Sequence, residues 1–112
     1  MVKGVDPNAP IITNERGGKQ SESKYAFHMI DDGAILALAE RLAYGAKRYA
    51  RDNWRKIPAE EHWNHCCVHW YAHKAGDMTD DHLAAFFCRA MMAFACANDF
   101  RLKLKVKDED EK

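Results

Sequence analysis

The feature that most constrains this chain is an apolar run near its C-terminal end. Residues 83–97 are apolar at every position except Arg89. Read as a helix, helix C, the run has two apolar faces. His82, Ala85, Phe86, Arg89, Ala93 and Cys96 lie on one, and Leu83, Phe87, Ala90, Met91 and Phe94 on the other. A chain of 112 residues has material for one core and not for two. One of the two faces is therefore expected to meet a second subunit. The run is too short to span a bilayer and carries a charge near its centre, so no membrane partner is expected.

Two more helices precede it. Asp31 or Asp32 suits the start of helix A, where Ile35, Leu38, Ala39, Leu42, Ala46 and Tyr49 recur at helical spacing, with an end near residues 52–54. Gly45 would permit a close backbone approach. Pro58 suits the first turn of helix B, Glu60 and Glu61 favour its positive end, and Gly76 stops it just past Ala75. Thr79 or Asp80 can cap helix C, which is expected to run beyond Phe100. Residues 1–30, with Pro7, Pro10 and several glycines, read as an extended arm. Within it, Gly17-Gly18-Lys19-Gln20-Ser21 is either a flexible turn or a backbone cradle for a phosphate. Residues 101–107 alternate with period two, as a short edge strand or a frayed end, and 108–112 are solvated. The expected fold is all-α: a small domain of three main helices with an extended N-terminal arm, packing into a helical-bundle oligomer. The arm covers 1–30, the helical domain 31–104 and a charged tail 105–112.

The charges balance, 17 Lys and Arg against 17 Asp and Glu, so duplex nucleic acid is not an expected partner. The four cysteines, Cys66, Cys67, Cys88 and Cys96, form no C-x-x-C pair and sit among apolar residues. They read as buried thiols in a reducing compartment, and no basic-then-apolar leader opens the chain, so a cytoplasmic location is expected.

Three constellations carry chemistry. The first is a histidine stripe on helix B. His62, His69 and His73 fall within about 40° of one another around the axis, with His65 about 60° to one side. The second is the turn Gly76-Asp77-Met78-Thr79-Asp80-Asp81-His82, which packs three carboxylates and an imidazole beside that helix. His65, His69, Asp77 and Asp81 are candidate ligands for Mg²⁺ or Mn²⁺, with Asp77, Asp81 and His82 as candidate catalytic groups. A purely structural Asp–His–Arg network through Arg89 is the alternative. The third runs from Tyr44 to Lys56. Lys47, Arg51 and Arg55 suit phosphate, and Trp54 or Tyr49 can stack on a base. An ordinary solvated helix end competes with that reading.

Taken in order, Gly17-Gly-Lys-Gln-Ser21, Tyr44-Gly-Ala-Lys-Arg-Tyr49, Asn53-Trp-Arg55, Asn64-His65, His69, Ala75-Gly-Asp77, Asp80-Asp-His-Leu83 and Cys88-Arg89 resemble the small phage-encoded dATP/dGTP diphosphohydrolases of N-terminal-domain type. The resemblance covers roughly residues 14–96. It implies an all-α domain that hydrolyses purine deoxynucleoside triphosphates to monophosphate and pyrophosphate, in the host cytoplasm if phage-encoded. The chain is more distantly similar to the MazG-like pyrophosphohydrolases. It departs from their Glu-Glu-x-x-Glu metal pattern, because Glu60-Glu61 is followed by His62-Trp63-Asn64. The resulting expectation is metal-dependent nucleotide hydrolysis in a homo-oligomer joined through helix C, with Lys47, Arg51, Trp54, Arg55 and Arg89 on the nucleotide. A non-catalytic oligomer that sequesters a nucleotide immune signal is the second reading, and a structural interaction module the third.

Overall fold

The structure, a computed structural model, describes residues 7–98. The chain divides into two units, 1–31 and 32–112.

In the first unit, strand β1 (Ile11–Thr13) pairs antiparallel with β2 (Lys19–Ser21), and Ile12 faces Gln20 across the ladder. The turn between them engages the Gly17 and Gly18 amides, two of those that the sequence offered to a phosphate. Gly17 N–H donates to the Asn14 carbonyl at 3.0 Å and Gly18 N–H to Asn14 Oδ1 at 2.8 Å. Gly17 has φ of 83°, which only glycine adopts without strain. A side chain on Gly18 would meet the Asn14 amide at 2.9 Å. The segment expected to be an extended arm is thus partly a hairpin, followed by one 3-10 turn over Phe27–Met29.

The second unit is helical. Helix α1 spans Asp32–Arg48, α2 spans Ala59–Lys74 and α3 spans His82–Asn98. Helix α1 stops several residues before the expected end. The backbone leaves helical geometry at Ala50, with φ of 150°, and Asp52 then takes up a left-handed conformation at φ 63°, which an aspartate tolerates. One 3-10 turn, Asn53–Lys56, then leads to Pro58 at the cap position of α2. Gly76, at φ 84°, ends that helix as its sequence position implies. Helix α3 is capped by Asp81, whose Oδ1 accepts the Ala84 N–H at 3.1 Å. The expected cap residues serve otherwise, Thr79 donating to Asp77 and Asp80 binding Arg41. The expected continuation past Phe100, the alternating segment 101–107 and the tail lie outside the described residues.

Helices α2 and α3 form the main packed pair, and α1 lies against α3. The residues of α1 that are partly covered are Ala34, Ala37, Leu38, Arg41, Leu42 and Gly45, so an arginine sits on the inner face while Ile35, Ala39, Ala46 and Tyr49 of the expected stripe stay exposed. Among the described residues no neighbour outside α1 approaches within 4 Å of the point where a Gly45 side chain would begin, so its expected role in close packing is not seen among them. The core is small. Cys66, Ala85 and Cys88 are its buried apolar members, and His62 and His82 are buried beside them. All four cysteines are thiols, with Cys67 and Cys96 only partly covered, and burial pushes the Cys66 and Cys88 thiols up, away from the reactive thiolate form. The other stripe of α3 is open: Leu83, Phe87 and Phe94 are 47%, 37% and 61% exposed. No helix among the described residues is long and apolar enough to cross a membrane.

Candidate functional site

A cleft of about 1180 Å³ lies between α1, the 3-10 connection, α2 and α3. Its lining joins residues from all three constellations. Arg51, Trp54 and Arg55 come from the connection, His65 and His69 from α2, and Arg89 from α3. Tyr44 and Arg48 of the third constellation and Asp80 of the second line it too, together with Arg41, which sequence reasoning missed. Its signal was available: Arg41 stands three residues before Tyr44 and seven before Arg48 and so shares their face of α1. Lys47 points elsewhere and is exposed, outside the lining.

The histidine stripe separates into different roles. His62 is fully buried. Its Nε2–H donates to the Trp54 carbonyl at 2.9 Å, which leaves Nδ1 to accept from Arg89 Nη1 at 3.1 Å. Both ring nitrogens are satisfied only if the ring is neutral. Burial holds His62 below the ordinary imidazole range, the Trp54 bond opposes this, and the Arg89 charge adds to the lowering. His65 is exposed at the cleft, and His73 is exposed beside the Trp70 ring.

His69 faces α3 instead. Its Nδ1 lies 2.9 Å from Nδ1 of His82. The other nitrogen of His82, Nε2, is 2.6 Å from Asp77 Oδ2, which also accepts the Thr79 hydroxyl at 2.7 Å. An ionised carboxylate only accepts, so Nε2 of His82 carries the proton and Nδ1 turns a lone pair toward His69. These bonds, Thr79 first and His82 next, hold the Asp77 carboxyl below its usual range. Burial first and His82 second lower His69. Asp80 stands beside the pair, gripped by Arg41 through Nη1–Oδ1 at 2.9 Å and Nη2–Oδ2 at 3.3 Å, which lowers its carboxyl and raises the guanidinium. Ligand atoms of His69, Asp80 and His82 all lie within 4.8 Å of one another. Asp77 stands behind His82, and Asp81 is engaged at the helix cap.

Arg89 is the remaining charge. The sequence offered Asp77 or Asp81 as its partner, yet its side-chain bond goes to His62. Among the described residues no carboxylate lies within ion-pairing distance of it, although it is half-buried. A partly covered cation without an anion, at the wall of a cleft already rich in arginine, favours an anionic occupant.

The profile of the family described as dATP/dGTP diphosphohydrolase, N-terminal, matches residues 14–105. The chain belongs to this family. The match to the dATP/dGTP diphosphohydrolase N-terminal family begins just after β1 and takes in β2, all three helices and every residue of the cleft. No curated protein and no solved structure matches the chain.

The buried imidazole makes a pH dependence. Unfolded histidine titrates near 6.5. Folded His62 titrates lower, so below about 6.5 the unfolded chain binds the proton that the folded chain refuses. The stability from this group is complete above that pH and is lost as the pH falls through it. The melting temperature, followed by helical circular dichroism, should drop between about pH 7.5 and pH 5. His62→Gln should flatten that drop. An unchanged slope in the variant would assign it to other groups.

Proposed function

We propose that this chain hydrolyses a purine deoxynucleoside triphosphate to the monophosphate and pyrophosphate, in the cytoplasm, where its thiols stay reduced. The observation that carries the reading is Arg89, half-buried at the cleft with no carboxylate partner among the described residues. Arg48, Arg51 and Arg55 share that cleft and suit a polyphosphate, and the exposed Tyr49 or the Trp54 ring suits the base. Arg55 already rests on the Trp54 ring, its guanidinium carbon 4.2 Å from the centroid, so phosphate and base would be held next to each other.

In the reaction, water adds to the α-phosphorus, the bond to the bridging oxygen of the β-phosphate breaks, and pyrophosphate leaves. The arginines neutralise the charge that gathers on the leaving group. The proton lost by water passes to the imidazole and carboxylate wall, where Asp77 fixes the orientation of His82. A divalent cation, Mg²⁺ or Mn²⁺, bound at that wall would neutralise phosphate charge and make water a better nucleophile.

Incubation of the purified chain with dATP, dGTP and the pyrimidine triphosphates, with and without Mn²⁺, tests the reading. Purine monophosphate and pyrophosphate are the expected products. Intact nucleotide recovered from heat-denatured protein, with no turnover, would identify a binder instead.

The same reading includes a homo-oligomer. The open stripe of Leu83, Phe87 and Phe94 would be covered by a second copy of the chain. Phe87→Glu should then lower the molar mass seen by light scattering. A monomeric wild type would end this part of the proposal.

A further inference from the structure

We infer that His69, His82 and Asp80 form a cation site for a first-row transition metal of the Mn²⁺ and Co²⁺ kind, rather than one built for Mg²⁺. The inference deepens the hydrolase reading above, on which it depends only for the use made of the site.

Three observations carry it. First, the donors converge from two different elements. His69 comes from α2, and Asp80 and His82 come from the start of α3 and the turn before it, with all three ligand atoms within 4.8 Å of one another. Two imidazole nitrogens 2.9 Å apart stand at the separation that neighbouring ligands of one ion adopt when each bond is about 2.1 Å. Second, the next layer is already in place. The bond from His82 Nε2–H to Asp77, itself held by Thr79, fixes the tautomer that leaves Nδ1 bare. A carboxylate behind a histidine is the usual device for aiming a metal ligand. Arg41 holds Asp80 in position by its two nitrogens. It acts as a positioning residue, and it lines the cleft where phosphate would lie. Third, the donor set is two nitrogens and one oxygen. Magnesium prefers oxygen donors and water, whereas imidazole suits transition metals. His69 and Asp80 both line the cleft, so the coordination positions left over face the space a nucleotide would enter.

The competing arrangement is a chelate on one helix, since His65, His69 and His73 are four apart in steps along α2. A shared proton between His69 and His82 is the other. Both are separable from the proposal by titrating metal alone, without nucleotide. Wild-type protein should bind Co²⁺, with d–d absorption appearing in the visible, and should bind Mn²⁺ at least tenfold more tightly than Mg²⁺. Asp80→Asn and His69→Gln should each weaken Co²⁺ binding tenfold or more with the helical circular dichroism retained. Asp77→Asn, which leaves all three ligands present, should weaken it by about tenfold to a hundredfold. His73→Ala should bind as wild type. Failure of the wild type to bind Co²⁺, equal affinity for Mg²⁺ and Mn²⁺, or unchanged affinity in Asp80→Asn overturns the site. So does loss of Co²⁺ binding in His73→Ala. A chain that binds Co²⁺ through these groups but turns over no nucleotide upholds the site and defeats the hydrolase reading. Turnover that survives alongside undiminished Co²⁺ binding in Asp80→Asn defeats the site alone.

Discussion

His62→Leu should lower the stability of the helical unit by about 2–6 kcal/mol, although leucine fills a similar space. The ring is fully buried and bonds in two directions, to the Trp54 carbonyl and to Arg89. Leucine answers neither. A buried polar group deprived of its partner costs about 1–3 kcal/mol, and two are affected here. In a domain of this size each kcal/mol moves the melting temperature by roughly 4–8 °C, so the drop should be about 8 °C or more. The Cys96 thiol also reaches the Trp54 carbonyl, at 3.6 Å, and a weak sulfur donor would soften the loss without cancelling it. His62→Gln can still donate toward Trp54 and should recover part of the stability. A leucine variant that melts within about 2 °C of the wild type would show that the knot joining the 3-10 connection, α2 and α3 contributes little.

Arg89→Lys should weaken the binding of a non-hydrolysable purine triphosphate by about tenfold to a hundredfold, while Arg51→Ala and Arg55→Ala should each cost about tenfold. A charge-assisted bond from arginine contributes about 1.5–3 kcal/mol, and lysine keeps the charge but loses the planar pair of donors. Arg51 has its side chain 90% exposed, 3.8 Å from Asp52, so solvent screens what it offers a ligand. Arg55 must share itself between Asp52 at 3.3 Å and the Trp54 ring. Arg89 is half-buried and its bond to His62 leaves its charge unneutralised, so it has the most to gain from a phosphate. Calorimetric titration of the three variants orders them directly. Equal affinity in all three and in the wild type would show that the cationic wall is only a solvated surface.

Much of the candidate site could be read from the residues themselves. His69, Arg51, Trp54, Arg55 and Arg89 were singled out by type and spacing, and all line the cleft. Asp80 and Asp81 show where such reading stops. They are neighbours of the same chemistry at the start of one helix, and either can cap it. Asp81 supplies the cap and Asp80 turns to Arg41, a choice made by an arginine thirty-nine positions earlier in the chain. Arg41 itself was passed over because a cation inside an apolar stripe has no local mark of its partner.

The helical class, the three helices and most of the helix ends within the described residues were legible in the residues alone. Those outcomes rest on near-neighbour physics: apolar spacing at the helical period, a proline at the start of α2, a glycine in the left-handed position at its end. It was also legible there that one face of α3 would be surplus to a single small core, and Leu83, Phe87 and Phe94 are indeed left open. The tertiary structure alone decided which imidazoles meet which groups. On one helix, His62 is locked into a buried bond with Arg89, His69 is turned to His82, and His65 and His73 are left to solvent. All four have the same intrinsic chemistry. What separates them is where α3 crosses α2 and where the connection 49–58 folds back, because burial and a partner within about 3 Å come from elements distant in the chain.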